Sequence, residues 1–237
     1  AGIPFYTGDS GSIYTHDVSG TDDTATSNTA FGIAAMDAIT TGDNNSAFGH
    51  QALGANNTGA DNSAFGKKSL EDNTTGSNNT ALGYSALEAN TTAADNIAVG
   101  YKAFKDVANT GGGADGDGVA IGYLAGSETI TPDGVTYVGG RCGSTILGGY
   151  NTAVGSRALY DTNAGGSSKA SAGNTVLGYF AMGGTWTNVT IDNCVAIGRN
   201  ALDGALAHAD VSGTVAIGRS ALGALTTGEG NTAVGYQ

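Results

Sequence analysis

The sequence predicts an all-β fold, a parallel β-solenoid of about 12 rungs, and three observations support it. A five-residue phrase ending in glycine occurs five times, as Asn28–Gly32, Asn45–Gly49, Asn62–Gly66, Asn79–Gly83 and Asn96–Gly100. Its closing glycines are 17 residues apart each time. Gly makes up 41 of the 237 residues and Pro only 2, which suits frequent turns without the strict glycine period of collagen. Such self-similarity is typical of a solenoid, whose repeats bury their apolar faces against their neighbours.

The first 27 residues lack the phrase and carry Pro4, Phe5, Tyr6, Tyr14 and a polar run over residues 19–27. An end strand of a solenoid presents unpaired backbone groups, so something must cover it. We therefore expect residues 1–27 to be an N-terminal cap or lead-in.

The repeat continues after Gly100 with insertions, which predicts a single solenoid over residues 28–237. Because the chain stops at a barely begun rung, we expect the solenoid to continue beyond Gln237. An off-register copy, Ser144–Gly148, ends seven residues before Gly155, so only one of the two can end a full turn. The predicted turn glycines, where a positive φ is tolerated, are Gly32, Gly49, Gly66, Gly83, Gly100, Gly122, Gly139, Gly155, Gly178, Gly198, Gly218 and Gly235.

The residues before each closing glycine predict a short strand with two apolar faces. The residue one before glycine is always bulky, and the residue two before it is usually alanine. Because side chains alternate across a strand, the two columns face opposite ways and both are expected to be buried. A thin roll can bury only one face inside itself, so we expect the flat alanine column to contact other chains in a homotrimer. The rival interpretation is a wider single-chain solenoid.

A second short segment follows each closing glycine, as in Gly83–Leu87 and Gly198–Leu202. Its small-then-large apolar pair is expected to close the core. A run this short does not distinguish a strand from a single helical turn.

Composition excludes several classes of function. The formal charge is −12, from 21 acidic and 9 basic residues, so nucleic acid would be repelled. No run of about 18 apolar residues is present, so we expect no membrane insertion. The start of the chain has no signal-peptide pattern.

The phrase Asn-Thr-Ala-Val-Gly-Tyr with a following Ala-Leu resembles the head repeats of trimeric autotransporter adhesins and the similar repeats of bacteriophage tail fibres. The resemblance covers residues 28–237. It implies a left-handed parallel β-roll, a homotrimer, and attachment to a surface. The 17-residue period is longer than the usual adhesin repeat, and the Asn-Thr-Thr-Gly loops are more similar to phage fibres.

Enzymatic interpretations are weak, and we predict no catalysis. Gly8–Gly11 matches the phrase around the nucleophile of trypsin-like proteases but lies at the N-terminus without the fold that would supply its partners. His16, His50 and His208 show no metal-ligand spacing. Acidic residues such as Asp61 and Asp95 are expected to be solvated loop residues rather than glycosidase carboxylates.

Two binding motifs are incomplete, and no cofactor is expected apart from a calcium candidate. Asp115 and Asp117 lie in a glycine-aspartate stretch like the turns of calcium β-rolls, but the stretch occurs only once. Ice binding would need a regular threonine array, and the column that holds Thr29 and Thr80 is broken by Ile97.

The cysteines test the spacing of the rungs. Cys142 and Cys194 would lie about three rungs apart, roughly 14 Å at the inter-strand spacing, which is too far for a disulfide. Two free thiols are therefore predicted.

Two insertions lengthen rungs, at residues 105–118 and 160–173, and loops on a rigid scaffold commonly carry function. The second is a candidate sugar-binding loop because tyrosine offers a stacking face beside polar groups; the alternative is a tolerated surface insertion. Its candidate residues are Tyr160, Asp161, Asn163, Ser167, Ser168 and Lys169.

These observations together predict a trimeric fibre segment of a phage tail fibre that attaches to a host surface. The alternatives are the head of a bacterial adhesin, a passive spacer, and a calcium- or ice-binding repeat protein. The expected location is extracellular, on a virion or bacterial surface. The expected partners are two further copies of the chain, a cell-surface glycan or receptor, and further fibre or virion proteins.

Overall fold

The computed structural model describes residues 6–7, 11–15, 24–107, 116–160, 170–186, 190–204 and 211–237. The chain forms two compact units, Ala1–Asp117 and Gly118–Gln237. Both are all-β, and together they contain about 11 turns of a parallel β-solenoid. The predicted fold class is confirmed at this level.

The first unit contains seven short strands in sequence order. β1 and β2 pair antiparallel, and β2 to β7 pair parallel without any shift in register, so that Ala30, Ala47 and Ala64 lie side by side. The strands are β1 (Tyr6–Thr7), β2 (Ile13–Tyr14), β3 (Thr29–Phe31), β4 (Ser46–Phe48), β5 (Ser63–Phe65), β6 (Thr80–Leu82) and β7 (Ile97–Val99).

The second unit contains seven parallel strands in sequence order, again without any shift in register. The strand near Gly155 is β10, and the off-register copy at Ser144–Gly148 lies in turns and loop. The strands are β8 (Val119–Ile121), β9 (Thr136–Val138), β10 (Thr152–Val154), β11 (Thr175–Leu177), β12 (Val195–Ile197), β13 (Val215–Ile217) and β14 (Thr232–Val234).

A degenerate rung that the motif search missed lies before the first predicted one. Ser12 occupies the position that asparagine holds before later strands, and its Oγ accepts a hydrogen bond from the Asn28 N–H (3.0 Å). Tyr14 in β2 is fully buried where later strands have alanine. Ser12–Thr15 lacks the asparagine, the alanine and the bulky last residue of the phrase, so only its pairing with β3 identifies it. The assignment of residues 1–27 as a cap stays a prediction.

The two strand faces are oriented opposite to the expectation. The middle residue of each strand from β3 to β13, usually alanine, is buried inside its unit. The bulky residue before glycine points outward. Between β3 and β13, the most accessible of these residues keep between 36% (Val154) and 50% (Leu82) of their surface exposed. The prediction that alanine forms the outer face is therefore wrong. The interior is narrow because a second row of large side chains already fills it, and mostly alanine lies opposite that row.

This second row comes from the segment after each closing glycine, and its small-then-large pairs are buried as predicted. The segment is neither strand nor helix. After Gly49 it forms two successive turns, closed by hydrogen bonds from Ala52 N to Gly49 O (3.3 Å) and from Gly54 N to Gln51 O (3.3 Å). Gln51 and Leu53 have φ of 60° and 52°, as the third residue of a type II turn requires. The large buried members of the row are Met36, Leu53, Leu70, Leu87, Phe104, Leu159, Met182 and Leu202.

The twelve closing glycines all have a positive φ, between 125° (Gly218) and 145° (Gly235). At most of these positions a side chain would also collide with the next turn; a Cβ on Gly32, for example, would lie 2.4 Å from the Gly49 carbonyl oxygen. Both the dihedral angle and the close approach of backbones explain why glycine recurs here.

Buried asparagines before the strands link successive turns. The Asn45 N–H donates to Asn28 Oδ1 (2.8 Å), and Asn45 Nδ2 donates to the Gly59 carbonyl (2.9 Å). The same pattern repeats at Asn62 and Asn79. Each asparagine therefore satisfies the backbone of its own turn and the next, which allows polar groups to lie in a thin interior.

Candidate functional site

The outer face of each sheet carries an unpartnered apolar stripe, which we define as the residues directly before the closing glycines. Its first members are aromatic: Phe31 and Phe48 are 45% and 39% exposed. The Phe48 and Phe65 rings stack at 4.9 Å between centroids and 4° between planes. Parallel pairing of strands thus aligns identical side chains into a continuous flat surface. The described members are Phe31, Phe48, Phe65, Leu82, Val99, Ile121, Val138, Val154, Leu177, Ile197, Ile217 and Val234.

Beside this stripe runs an aromatic-basic row, which we define as the first two residues after each closing glycine. Tyr84 and Tyr101 stack at 5.4 Å. In the second unit, arginine guanidinium groups lie over tyrosine rings, with Arg141 5.9 Å from the centroid of Tyr123 and Arg199 6.0 Å from that of Tyr179. Such cation–π contacts hold extended side chains against the surface.

The row is basic although the chain is acidic. It contains seven of the nine basic residues of the chain and no acidic residue. Among the described residues, none of its arginines forms an ion pair. The basic members are Lys67, Lys68, Lys102, Arg141, Arg157, Arg199 and Arg219.

On the other side of the strands runs an acidic row, which we define as the fifth and sixth residues before each closing glycine. It contains no basic residue. Asp61, Asp95 and Asp117 are exposed in the first unit, and Asp133, Asp192 and Glu229 occupy the row in the second. Each unit therefore presents an apolar stripe bordered by opposite charges. The sequence shows which residue types recur in these columns. Only the structure shows that the columns face outward and form one surface.

A surface groove of about 340 Å³ interrupts the aromatic-basic row in the second unit. Tyr123 and Tyr179 stand at its ends, while the two turns between them carry Gly140 and Ser156 where a ring would otherwise be. Arg141 and Arg157 complete the lining. Sequence motifs do not reveal this site, because its only signal is a small residue in place of a large one at two consecutive repeats.

An acidic groove of about 400 Å³ lies in the first unit, with Asp37, Glu71 and Asp72 in its lining. Burial, followed by the charges of Glu71 and Glu88, raises the pKa of Asp72. Lys68 partly offsets this charge, since its Nζ lies 2.8 Å from Glu71 Oε2 and 3.6 Å from Glu88 Oε1.

The residues predicted to bind ligands are not brought together where the structure describes them. Asp117 is exposed, and Asp115 lies outside the described residues. Tyr160 is half-buried, while the rest of its candidate loop, Asp161, Asn163, Ser167, Ser168 and Lys169, is outside the described part. Among described residues, no group of three or more His, Cys, Asp or Glu side chains could hold a metal.

Most of the protease-like phrase and two of the three histidines, His16 and His208, lie outside the described residues. Only Gly11 of Gly8–Gly11 is described, and among the histidines only His50, which is exposed.

Both cysteines are free and buried, as predicted. Cys142 Sγ donates to the Ala153 carbonyl (3.1 Å), and Cys194 Sγ donates to that of Val211 (3.3 Å). Burial raises the pKa of the Cys142 thiol to about 12, so the reactive thiolate is suppressed at neutral pH. These cysteines are core residues.

The architecture defines the chain as a parallel β-solenoid repeat protein. Comparison with protein-family models, with curated proteins and with solved structures finds no match. In the described part of the chain, no helix has the length and apolar character needed to cross a bilayer.

Proposed function

We propose that the chain is a segment of a homotrimeric attachment fibre, as in a phage tail fibre that contacts a host surface. The observation that supports this most strongly is the apolar stripe on the outer face of the sheets. Contiguous exposed apolar surface on a soluble protein marks an interaction site. A stripe that recurs at every turn suits a partner with the same period, and another copy of this chain has that period.

The charges beside the stripe favour a closed ring of chains over a two-fold dimer. In a ring, the basic edge of one copy meets the acidic edge of the next, because the interface is head-to-tail. In a parallel ring every turn then meets a turn at the same height, which pairs unlike charges along the interface. The trimer thus uses the bulky stripe and not the alanine column that the sequence had suggested.

Light scattering tests the assembly. We expect a mass close to three times the 23.2 kDa of one chain. The double variant Phe48→Lys/Phe65→Lys should dissociate, because it places two charges at the centre of a desolvated interface. Thr58→Lys is the matched control, since Thr58 is exposed away from the stripe and should leave the mass unchanged.

A wild-type mass of 23.2 kDa would overturn the proposal. The attachment role is measured separately, by adsorption of the labelled trimer to bacterial envelopes from a panel of strains. Adsorption to none of them would leave a trimer that acts as a spacer.

A further inference from the structure

We propose that the groove between Tyr123 and Tyr179 binds an acidic oligosaccharide. The four arginines of the chain all lie in the second unit and all in the aromatic-basic row. Two of them, Arg141 and Arg157, line this groove. The inference rests on the proposed attachment role for its biological meaning. It requires the groove to stay open beside the contact between chains, where the acidic row holds the uncharged Gly149 and Tyr150 at the turn of Arg157.

The size of the groove corresponds to the space that tyrosine rings occupy elsewhere in the row. Where the row is continuous, the Tyr84 and Tyr101 rings on neighbouring turns stack at 5.4 Å. Tyr123 and Tyr179 are three turns apart, roughly 14 Å at the spacing of adjacent strands. Gly140 and Ser156 leave two ring-sized spaces between them, so that sugar rings can pack there through their C–H faces.

The lining supplies the two contacts that an acidic sugar needs. The half-exposed Tyr179 offers an aromatic face to a pyranose ring, whereas the Tyr123 ring at the other end lies under the Arg141 guanidinium at 5.9 Å and bounds the groove. Arg141 and Arg157 offer planar guanidinium groups, which bind carboxylates through paired hydrogen bonds. Arg199 lies over Tyr179 from the following turn and does not line the groove.

Electrostatics should make the groove prefer an acidic saccharide over a neutral one. The chain as a whole carries −12, and an acidic polymer would be repelled from most of its surface. The groove lies within the aromatic-basic row, which has no acidic residue and seven of the nine basic residues, so this row is where an acidic chain of sugars meets the least repulsion. Neutral sugars would gain the aromatic contact but not the guanidinium contact.

Calorimetric titration with a tetrasaccharide of galacturonic acid tests the proposal. We expect saturable binding by the wild type, and binding at least tenfold weaker for the carboxyl-reduced, neutral tetrasaccharide. Ser156→Tyr should weaken binding at least tenfold, because a ring at that position fills the groove in the way that tyrosine fills the row elsewhere. Arg157→Ala should also weaken binding at least tenfold.

Arg219→Ala is the matched control, since Arg219 lies over Tyr236 at 5.3 Å in the same row but outside the groove. It should bind the tetrasaccharide as the wild type does. Absence of wild-type binding, equal losses in Arg157→Ala and Arg219→Ala, or unchanged binding by Ser156→Tyr would each overturn the proposal. Equal binding of sulfate alone would show a simple anion site and would also overturn it.

Light scattering on every variant keeps the two proposals apart. If Ser156→Tyr or Arg157→Ala changes the mass, the groove is a contact between chains, and the saccharide proposal fails while the assembly proposal stands. If the wild type is monomeric but binds the tetrasaccharide, the trimer fails and the site stands.

Discussion

The buried asparagines show how a single residue type can support a thin polar-lined interior. Asn62 is fully buried, and its amide contacts three turns: it donates to Asn45 Oδ1 (3.1 Å) and to Gly76 O (2.9 Å), and accepts from Asn79 N (3.0 Å). Glutamine would be too long for this spacing and aspartate would bring a buried charge. The sequence shows the asparagine column plainly, yet its burial depends on backbone geometry that residue type alone does not reveal.

Removing one buried asparagine side chain should therefore lower the free energy of unfolding more than removing a surface amide. Asn62→Ala leaves the Asn79 N–H buried without its acceptor, which should lower the free energy of unfolding by about 1–3 kcal/mol. The exposed Asn57→Ala is the control and should stay within about 0.5 kcal/mol of the wild type. Urea denaturation measures both. Equal midpoints for the two variants would show that the ladder contributes nothing.

At the level of the element, alternation of strand side chains was predictable, but the direction of each face was not. Both columns are apolar, so hydropathy does not distinguish inside from outside. The size of the second segment's side chains decides it, because Leu53 and its equivalents fill the roll and favour alanine opposite them. Tyr137 supports this reason, since it occupies an alanine position and Gly143 replaces leucine where the ring lies.

This compensation predicts strong coupling between Tyr137 and Gly143. Tyr137→Ala should cost about 3–5 kcal/mol, in the range of large aromatic truncations, by leaving a cavity. Gly143→Leu should also destabilise the wild type, because its Cβ would lie 2.6 Å from the Tyr137 ring. The double variant should be more stable than Tyr137→Ala alone, since leucine then fills the cavity at a φ that Leu53 also adopts (52° against 57°).

A double-mutant cycle by urea denaturation measures this coupling, expected at about 0.5–3 kcal/mol. Additive losses would mean that the two residues pack independently.

At the scale of the whole molecule, the repeat period and the parallel class followed from glycine spacing, whereas the binding surface did not. The period identifies turns that stack in register, because a shift would break every glycine contact and asparagine bond together. The groove at Gly140 and Ser156 arises from small residues in an otherwise aromatic and basic column. These small residues indicate a groove only once the column is known to face solvent. The insertions were the more visible signal, but most of their candidate residues lie outside the described part.

A repeat should be removable as a unit. Deleting residues 50–66 joins Gly49 to Lys67 and brings Phe48 beside Leu82 without changing the phase of any column. Stability in a solenoid is approximately a sum of repeat and neighbour terms, so we expect cooperative unfolding with a midpoint near that of the wild type. Deleting only residues 50–57 removes the buried Leu53 and breaks the phase, and thermal melting followed by circular dichroism should show a large loss. Similar curves for the two deletions would contradict the stacking of turns in phase.

The left-handed residues in each turn have a consequence for how the chain grows. Non-glycine residues such as Gln51 and Leu53 hold positive φ at an intrinsic cost of about 1–2 kcal/mol each. Their N–H groups are bonded to neighbouring turns, from Gln51 to Ile33 O (2.9 Å) and from Leu53 to Ser69 O (3.0 Å). An isolated turn is therefore unstable, because it lacks the hydrogen bonds to neighbouring turns that offset this cost. A turn that has formed offers those bonds to the next one. The solenoid should assemble like a one-dimensional crystal, with slow nucleation followed by rapid addition at the growing end.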